Sequence, residues 1–187
     1  RGTSEAFHKS LIKGLTESGV NVVDIGTVTT PMSYWSQYHL NIKGLVMITA
    51  SHNPAGWNGV KFGTDLSYTL LTDEMQELYQ IILNEEFVSG EGTIRKEDIR
   101  NAYINDLLSR AFITKKFKVL VNTGNGTAGL FATELLQKAG CEVVEHFTNV
   151  DPAYPNYTPN PDGTAMMEDT GKQTVKNNCD LGFAFDG

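Results

Sequence analysis

Ser51 and His52 stand side by side in the run Thr49-Ala50-Ser51-His52-Asn53-Pro54. A serine hydroxyl is by type a nucleophile or a phosphate carrier, and an imidazole moves protons or donates to an anion near neutral pH. The same residues also suit an ordinary polar turn, which Asn53-Pro54 would shape. Lys61, in Asn58-Gly59-Val60-Lys61-Phe62, has the charge to hold a phosphoryl group; a solvated lysine on an outer strand face is the plainer reading. Asp186 follows an apolar run, Leu181-Gly182-Phe183-Ala184-Phe185. A carboxylate at the end of a strand suits Mg²⁺, which prefers oxygen ligands and phosphate partners. It equally suits a turn or a helix cap.

Asn122-Thr123-Gly124-Asn125-Gly126-Thr127 invites a phosphate reading, because amides at a helix start attract anions. No Gly-Lys-Ser/Thr follows it and the dinucleotide fingerprint is poor, so a tight turn that needs glycine backbones is favoured. No Gly-x-Ser-x-Gly elbow is present, which argues against a serine hydrolase.

Helices and strands alternate around these residues. Phe7, Leu11, Ile12 and Leu15 recur at helical spacing between a capping Ser4 and Gly19. Residues 20–25 then read as a strand. Thr30-Pro31 opens a helix whose apolar face is Tyr34, Trp35 and Tyr38. Residues 44–49 read as a strand covered on both faces, with a short strand at 60–62. A Thr72-capped helix carries Met75, Leu78, Tyr79, Ile82 and Leu83, and a polar stretch from Ser89 to Thr93 breaks the pattern. Ile99, Tyr103, Leu107 and Ala111 mark another helix, and a domain boundary is expected near Ser109. Beyond it come a strand at 117–121, one helical stripe from Ala128 to Ala139 stopped by Gly140, and a strand at 141–144. A Pro/Asn-rich loop at 151–163, a helix at 164–176 and a strand at 181–185 complete the chain. Alternation of this kind predicts an α/β fold: two consecutive three-layer α/β/α domains, 1–109 and 110–187, with mostly parallel mixed sheets.

The chain has 187 residues, 40% of them apolar and 20% charged, enough for a sizeable core. The net charge of −7 and the lack of a basic cluster argue against a nucleic-acid partner. No apolar run reaches the roughly 20 residues that span a bilayer, so no membrane association is expected. Cys141 and Cys179 have no CxxC partner; buried reduced thiols and a cytoplasmic location are expected. No Met opens the chain and it stops directly after an apolar run, so a piece of a longer protein is expected.

The Ser51 and Lys61 segments together strongly resemble the active-site segment of the α-D-phosphohexomutases, the phosphoglucomutase and phosphomannomutase enzymes. Asp24-Ile25-Gly26 with Thr30-Pro31, Asn122 to Gly126, Pro159-Asn160-Pro161, and Asp180 to Gly187 resemble further family segments in the same order. The resemblance covers nearly the whole chain.

The resemblance implies roles. Ser51 would be the phosphoserine, and Asp186 the first of three aspartates that bind Mg²⁺ with its phosphate. Lys61 would be a cationic residue of the site, Arg1 an arginine near the phosphoserine, and His52 a neighbour that steadies the phosphate; His52 or Lys61 would be the base that takes the serine or sugar proton. The implied substrate is a hexose phosphate, isomerised by two phosphoryl transfers through a bisphosphate sugar, with a glucose 1,6-bisphosphate-type activator. The family's metal loop reads Asp-Gly-Asp-x-Asp-Arg, of which only Asp186-Gly187 lies in this chain. The two domains that read the sugar and grip its other phosphate also lie outside it. These residues alone are therefore not expected to form a competent mutase. A non-catalytic phosphate-binding or interaction module of mutase descent is the alternative.

Overall fold

The computed structural model describes residues 1–187 and divides them into two compact units. The first holds Arg1–Gly2, Ala50–Trp57 and Arg100–Gly187; the second holds Thr3–Thr49 and Asn58–Ile99. The helix Arg100–Arg110, which the expected boundary at Ser109 would close, groups with the residues that follow it.

The second unit runs α1 (Ser4–Glu17), β1 (Val22–Asp24), α2 (Thr30–Leu40), β2 (Leu45–Ile48), β3 (Val60–Gly63), α3 (Thr72–Leu83) and β4 (Ile94–Lys96). β1 pairs parallel with β4 and β2 antiparallel with β3. The sequence gives no strand signal at β4: Ile94-Arg95-Lys96 is short, exposed and mostly charged. It is a strand because it offers main-chain groups to β1, whatever its side chains do.

Three expectations need correction in this unit. Ser4, Thr30 and Thr72 are the first helical residues, with Thr3, Thr29 and Leu71 in the capping positions. The buried side of α2 is Met32, Ser33, Ser36 and Gln37, while Tyr38 is 58% exposed. The polar residues can be buried there because each finds a partner. Ser33 Oγ donates to Thr30 O and Ser36 Oγ to Ser33 O, both at 2.7 Å. Gln37 Nε2 donates to the carbonyls of Lys43 and Asp65, and its Oε1 accepts from Ser67 N. Finally, β2 is half-buried, with only Met47 fully covered, rather than sealed on both faces.

The first unit runs α4 (Arg100–Arg110), β5 (Lys118–Asn122), α5 (Ala132–Lys138), β6 (Glu142–His146), α6 (Thr164–Lys176) and β7 (Leu181–Ala184). The stripe from Ala128 is not one helix. A 3₁₀ turn over Thr127–Leu130 ends at Phe131, whose non-helical backbone separates it from α5. The sheet order is β6-β5-β7, all parallel. β5 is its covered centre: Val119, Leu120 and Val121 are at most 1% exposed. Side chains alternate across a strand, so Val119 and Val121 share one face with Ala132, Leu136, Val143 and Phe185. Leu120 takes the opposite face, toward α6 and its buried Met166. This is an α/β/α arrangement, and across the molecule the sheets are mixed and mostly parallel.

Candidate active site

Strand order reverses at β5: the chain leaves it for β6 on one side and returns as β7 on the other. Ligands of parallel sheets gather outside the carboxyl ends of strands at such a reversal. Asn122 ends β5 there, and Asp186 lies two residues beyond β7. The turn after β5 is tight. Gly124 has φ +52°, and a Cβ on it would lie 2.9 Å from Pro159 Cβ. A Cβ on Gly126 would come within 3.0 Å of Gly187 Cα, so this glycine leaves room for the strand end that carries Asp186.

Ser51 meets Asp186 at this edge. Its Oγ donates to Asp186 Oδ1 at 2.9 Å. His52 Nδ1 lies 3.0 Å from Asp186 Oδ2 and 3.3 Å from Ser51 Oγ. An ionised carboxylate only accepts, so the simplest proton count has Ser51 O–H and His52 Nδ1–H both pointing to Asp186. His52 then orients the carboxylate, and the carboxylate rather than the imidazole is the group that faces the serine proton.

Ser51 is held in a strained pose. Its φ of +46° is left-handed, which costs a non-glycine residue on the order of 1 kcal/mol. A turn from Asn53 N to Ala50 O, 2.9 Å, closes the loop around it. Arg1 locks it: the guanidinium donates to the carbonyls of Pro54, Ala50 and Ser51. The Arg1 side chain also lies over the Tyr154 ring, 4.9 Å from its centroid. Burial raises the Tyr154 hydroxyl above its ordinary value, Arg1 opposes that rise and Asp186 adds to it.

Ser51, His52, Asp186 and Arg1 thus share one unit. Lys61 belongs to the other, where it is exposed on β3 opposite Met47. No three His, Cys, Asp or Glu side chains gather into a group that could hold a metal ion by themselves. The Ser51 hydroxyl and the Asp186 carboxylate are hard oxygen donors of the type Mg²⁺ takes, and it commonly keeps water and phosphate for its other positions.

A family model described as phosphoglucomutase/phosphomannomutase, alpha/beta/alpha domain I, matches residues 1–89, and its domain II counterpart matches residues 101–187. The chain belongs to the phosphoglucomutase/phosphomannomutase family. A phosphomannomutase/phosphoglucomutase of Pseudomonas putida is 36% identical over 179 residues, covering 96% of this chain and 38% of that protein. A phosphoglucomutase of Neisseria gonorrhoeae is 35% identical, covering 94% and 38%. A crystal structure of a phosphoglucomutase/phosphomannomutase family protein from Burkholderia thailandensis superposes with a TM-score of 0.89 at 32% identity, over 96% of this chain and 41% of that one. The chain therefore spans well under half the length of these relatives. No helix is long and apolar enough to cross a membrane.

Tyr154 carries no mark in the sequence, and neither does most of the polar cluster beneath the turn: Asn122, Tyr157, Asp169, His146 and Thr170. Asn122 opens a motif that the sequence does flag. The others stand alone in the sequence, with no motif to mark them.

Proposed function

We propose that Ser51 carries a phosphoryl group in a phosphohexomutase reaction on hexose phosphates. The single observation behind this reading is the meeting of Ser51 Oγ and Asp186 at 2.9 Å, at the carboxyl ends of parallel strands. In the forward half, a sugar hydroxyl attacks the phosphorus of phospho-Ser51. The new sugar O–P bond forms as the Ser51 Oγ–P bond breaks, and the hydroxyl proton passes to a base. In the second half, Ser51 Oγ attacks the other phosphorus of the bisphosphate sugar: the new Oγ–P bond forms as that sugar O–P bond breaks, the Ser51 proton passes to a neighbouring base, and the freed sugar oxygen takes up a proton to become a hydroxyl. His52 and Lys61 are the proposed candidates for the base. His52 holds the carboxylate, and Arg1 fixes the loop that presents the serine. Ser51 and Asp186 would hold Mg²⁺, whose chemistry there is neutralising charge on the phosphoryl oxygens. Cys141 and Cys179 are half-buried rather than fully buried, and a reducing, cytoplasmic setting is proposed for them.

Mass spectrometry after exposure to glucose 1,6-bisphosphate tests the carrier role. One phosphoryl group on the Ser51 peptide, lost in Ser51→Ala, is the expected result. An unmodified serine sinks it and leaves a non-catalytic phosphate-binding or interaction module. With one carboxylate at the site and 38% of a relative's length, these residues alone are expected to give no measurable mutase turnover in a coupled assay.

A further inference from the structure

Two main-chain hydrogen bonds flank Asp186: Phe185 N donates to Asn122 O at 3.0 Å and Gly187 N to Pro159 O at 2.9 Å. The carboxylate itself is exposed and meets Ser51 and His52, while these two acceptors hold the main chain on either side of it. Both acceptor residues are under 2% exposed, and the phenol of Tyr157 bonds to the side chain of the first. Asn122 Nδ2 donates to Tyr157 Oη at 2.7 Å, and Tyr157 Oη donates to Asp169 Oδ2 at 2.9 Å. Pro159 is two residues on from Tyr157.

The far end of the chain is anchored. His146 Nε2, at the end of β6, lies 2.7 Å from the same Asp169 oxygen. Asp169 is on α6, so the phenol is fixed to both a strand and a helix of the frame. Asn122 uses both of its side-chain protons. Its second Nδ2 proton goes to Thr170 Oγ1 at 2.8 Å, and its Oδ1 accepts Gly124 N at 3.0 Å. The Tyr157 ring is steadied edge-on by Phe147, 5.7 Å between centroids.

We propose that Tyr157 is a positioning residue for Asp186: its hydroxyl, held between Asn122 and Asp169, sets the two main-chain acceptors that place the carboxylate against Ser51. The Asn-Gly turn and the Pro-Asn-Pro loop act through it as a scaffold for the strand end rather than as phosphate cradles. The consequence for phosphoryl transfer rests on the carrier role of Ser51; the structural coupling does not.

Tyr157→Phe removes the hydroxyl alone. Amide exchange at Phe185 and Gly187, followed by NMR, is expected to quicken about tenfold, the scale of one lost hydrogen bond to a charged group. Glu142 N, bonded to Phe117 O in the same sheet, is expected to stay within about twofold. An unchanged Phe185 and Gly187, or a Glu142 that quickens equally, overturns the proposal. Asp169→Asn keeps an oxygen acceptor and is expected to show the same local pattern more weakly; it decides the matter should Tyr157→Phe not fold. In parallel, Ser51 phosphoryl uptake from glucose 1,6-bisphosphate with Mg²⁺ is expected to slow about tenfold in Tyr157→Phe. If the unaltered protein takes up no phosphate, the carrier role falls, and the amide rates alone still judge the positioning.

Discussion

Each unit contains a tyrosine that donates to a carboxylate, and the two pairs differ in setting. In the first unit Tyr157 donates to Asp169 within a network of Asn122, His146 and Thr170. In the second, Tyr68 donates to Glu74 at 2.5 Å, and Glu74 also accepts the main-chain N–H of Leu71 at the start of α3. Burial, with help from Asp169 and against the pull of Asn122, pushes the Tyr157 hydroxyl up to about 12. For Tyr68 the bond to Glu74 is the main cause of a rise, and burial is secondary. The same contrast holds for the cores. The first unit is built around a covered parallel strand, whereas no residue of α1 or α3 in the second is fully buried. The first unit is thus centred on a buried apolar strand, whereas the second joins a smaller set of buried apolar residues, Met32, Met47 and Ile99, to the polar contacts of Gln37.

The largest expected effect that tests this contrast is in β5. Leu120→Ala empties a fully covered site and is expected to cost about 2–5 kcal/mol in urea unfolding. A loss near zero would mean that β5 is not the centre of the first unit. Gln37→Ala in the second unit strips partners from the carbonyls of Lys43 and Asp65 and from Ser67 N. Its expected cost is about 1–3 kcal/mol, and an effect as large as that of Leu120→Ala would erase the difference in kind.

Alkaline titration gives a subtler separation. The unfolded tyrosine ionises near 10.0 while folded Tyr157 holds its proton to about 12. The native state therefore binds the proton more tightly, and stability falls as pH rises through this window. Tyr157→Phe is expected to remove that slope, and an unchanged slope would place its origin elsewhere. On the acid side, burial raises the Asp169 carboxyl, but the bonds from His146 and Tyr157 outweigh this and leave it below its ordinary 3.8. Its contribution is present above that value and lost as pH falls through the lower folded value; Asp169→Asn is expected to flatten this acid slope. The smallest effect is expected at the exposed α3 face, where Ile82 is 52% exposed. Ile82→Ser is expected to stay within about 0.5 kcal/mol in thermal unfolding, and a larger loss would reveal packing on α3.

The candidate site was partly legible because its chemistry sits in short runs: Ser51-His52 in one loop and Asp186 after an apolar strand. Tyr157 and Asp169 carry no such mark. A tyrosine in a Pro/Asn-rich loop and an aspartate in mid-helix become partners only when β6 and α6 fold beside β5. Gln37 was hidden for a related reason, since hydropathy assigned the buried face of α2 to its aromatic residues.

By itself the sequence determined the alternation of helix and strand, the extent of α6, the glycine turn after β5 and the family resemblance. Each is encoded by residues near one another in the chain, through periodicity, turn chemistry or motif. Only tertiary structure decided that β4 is a strand, that Gln37 is buried, and that Tyr157 stands between Asn122 and Asp169. Those outcomes depend on whether a main-chain or side-chain group finds a distant partner as water is excluded, and local residue type does not record that.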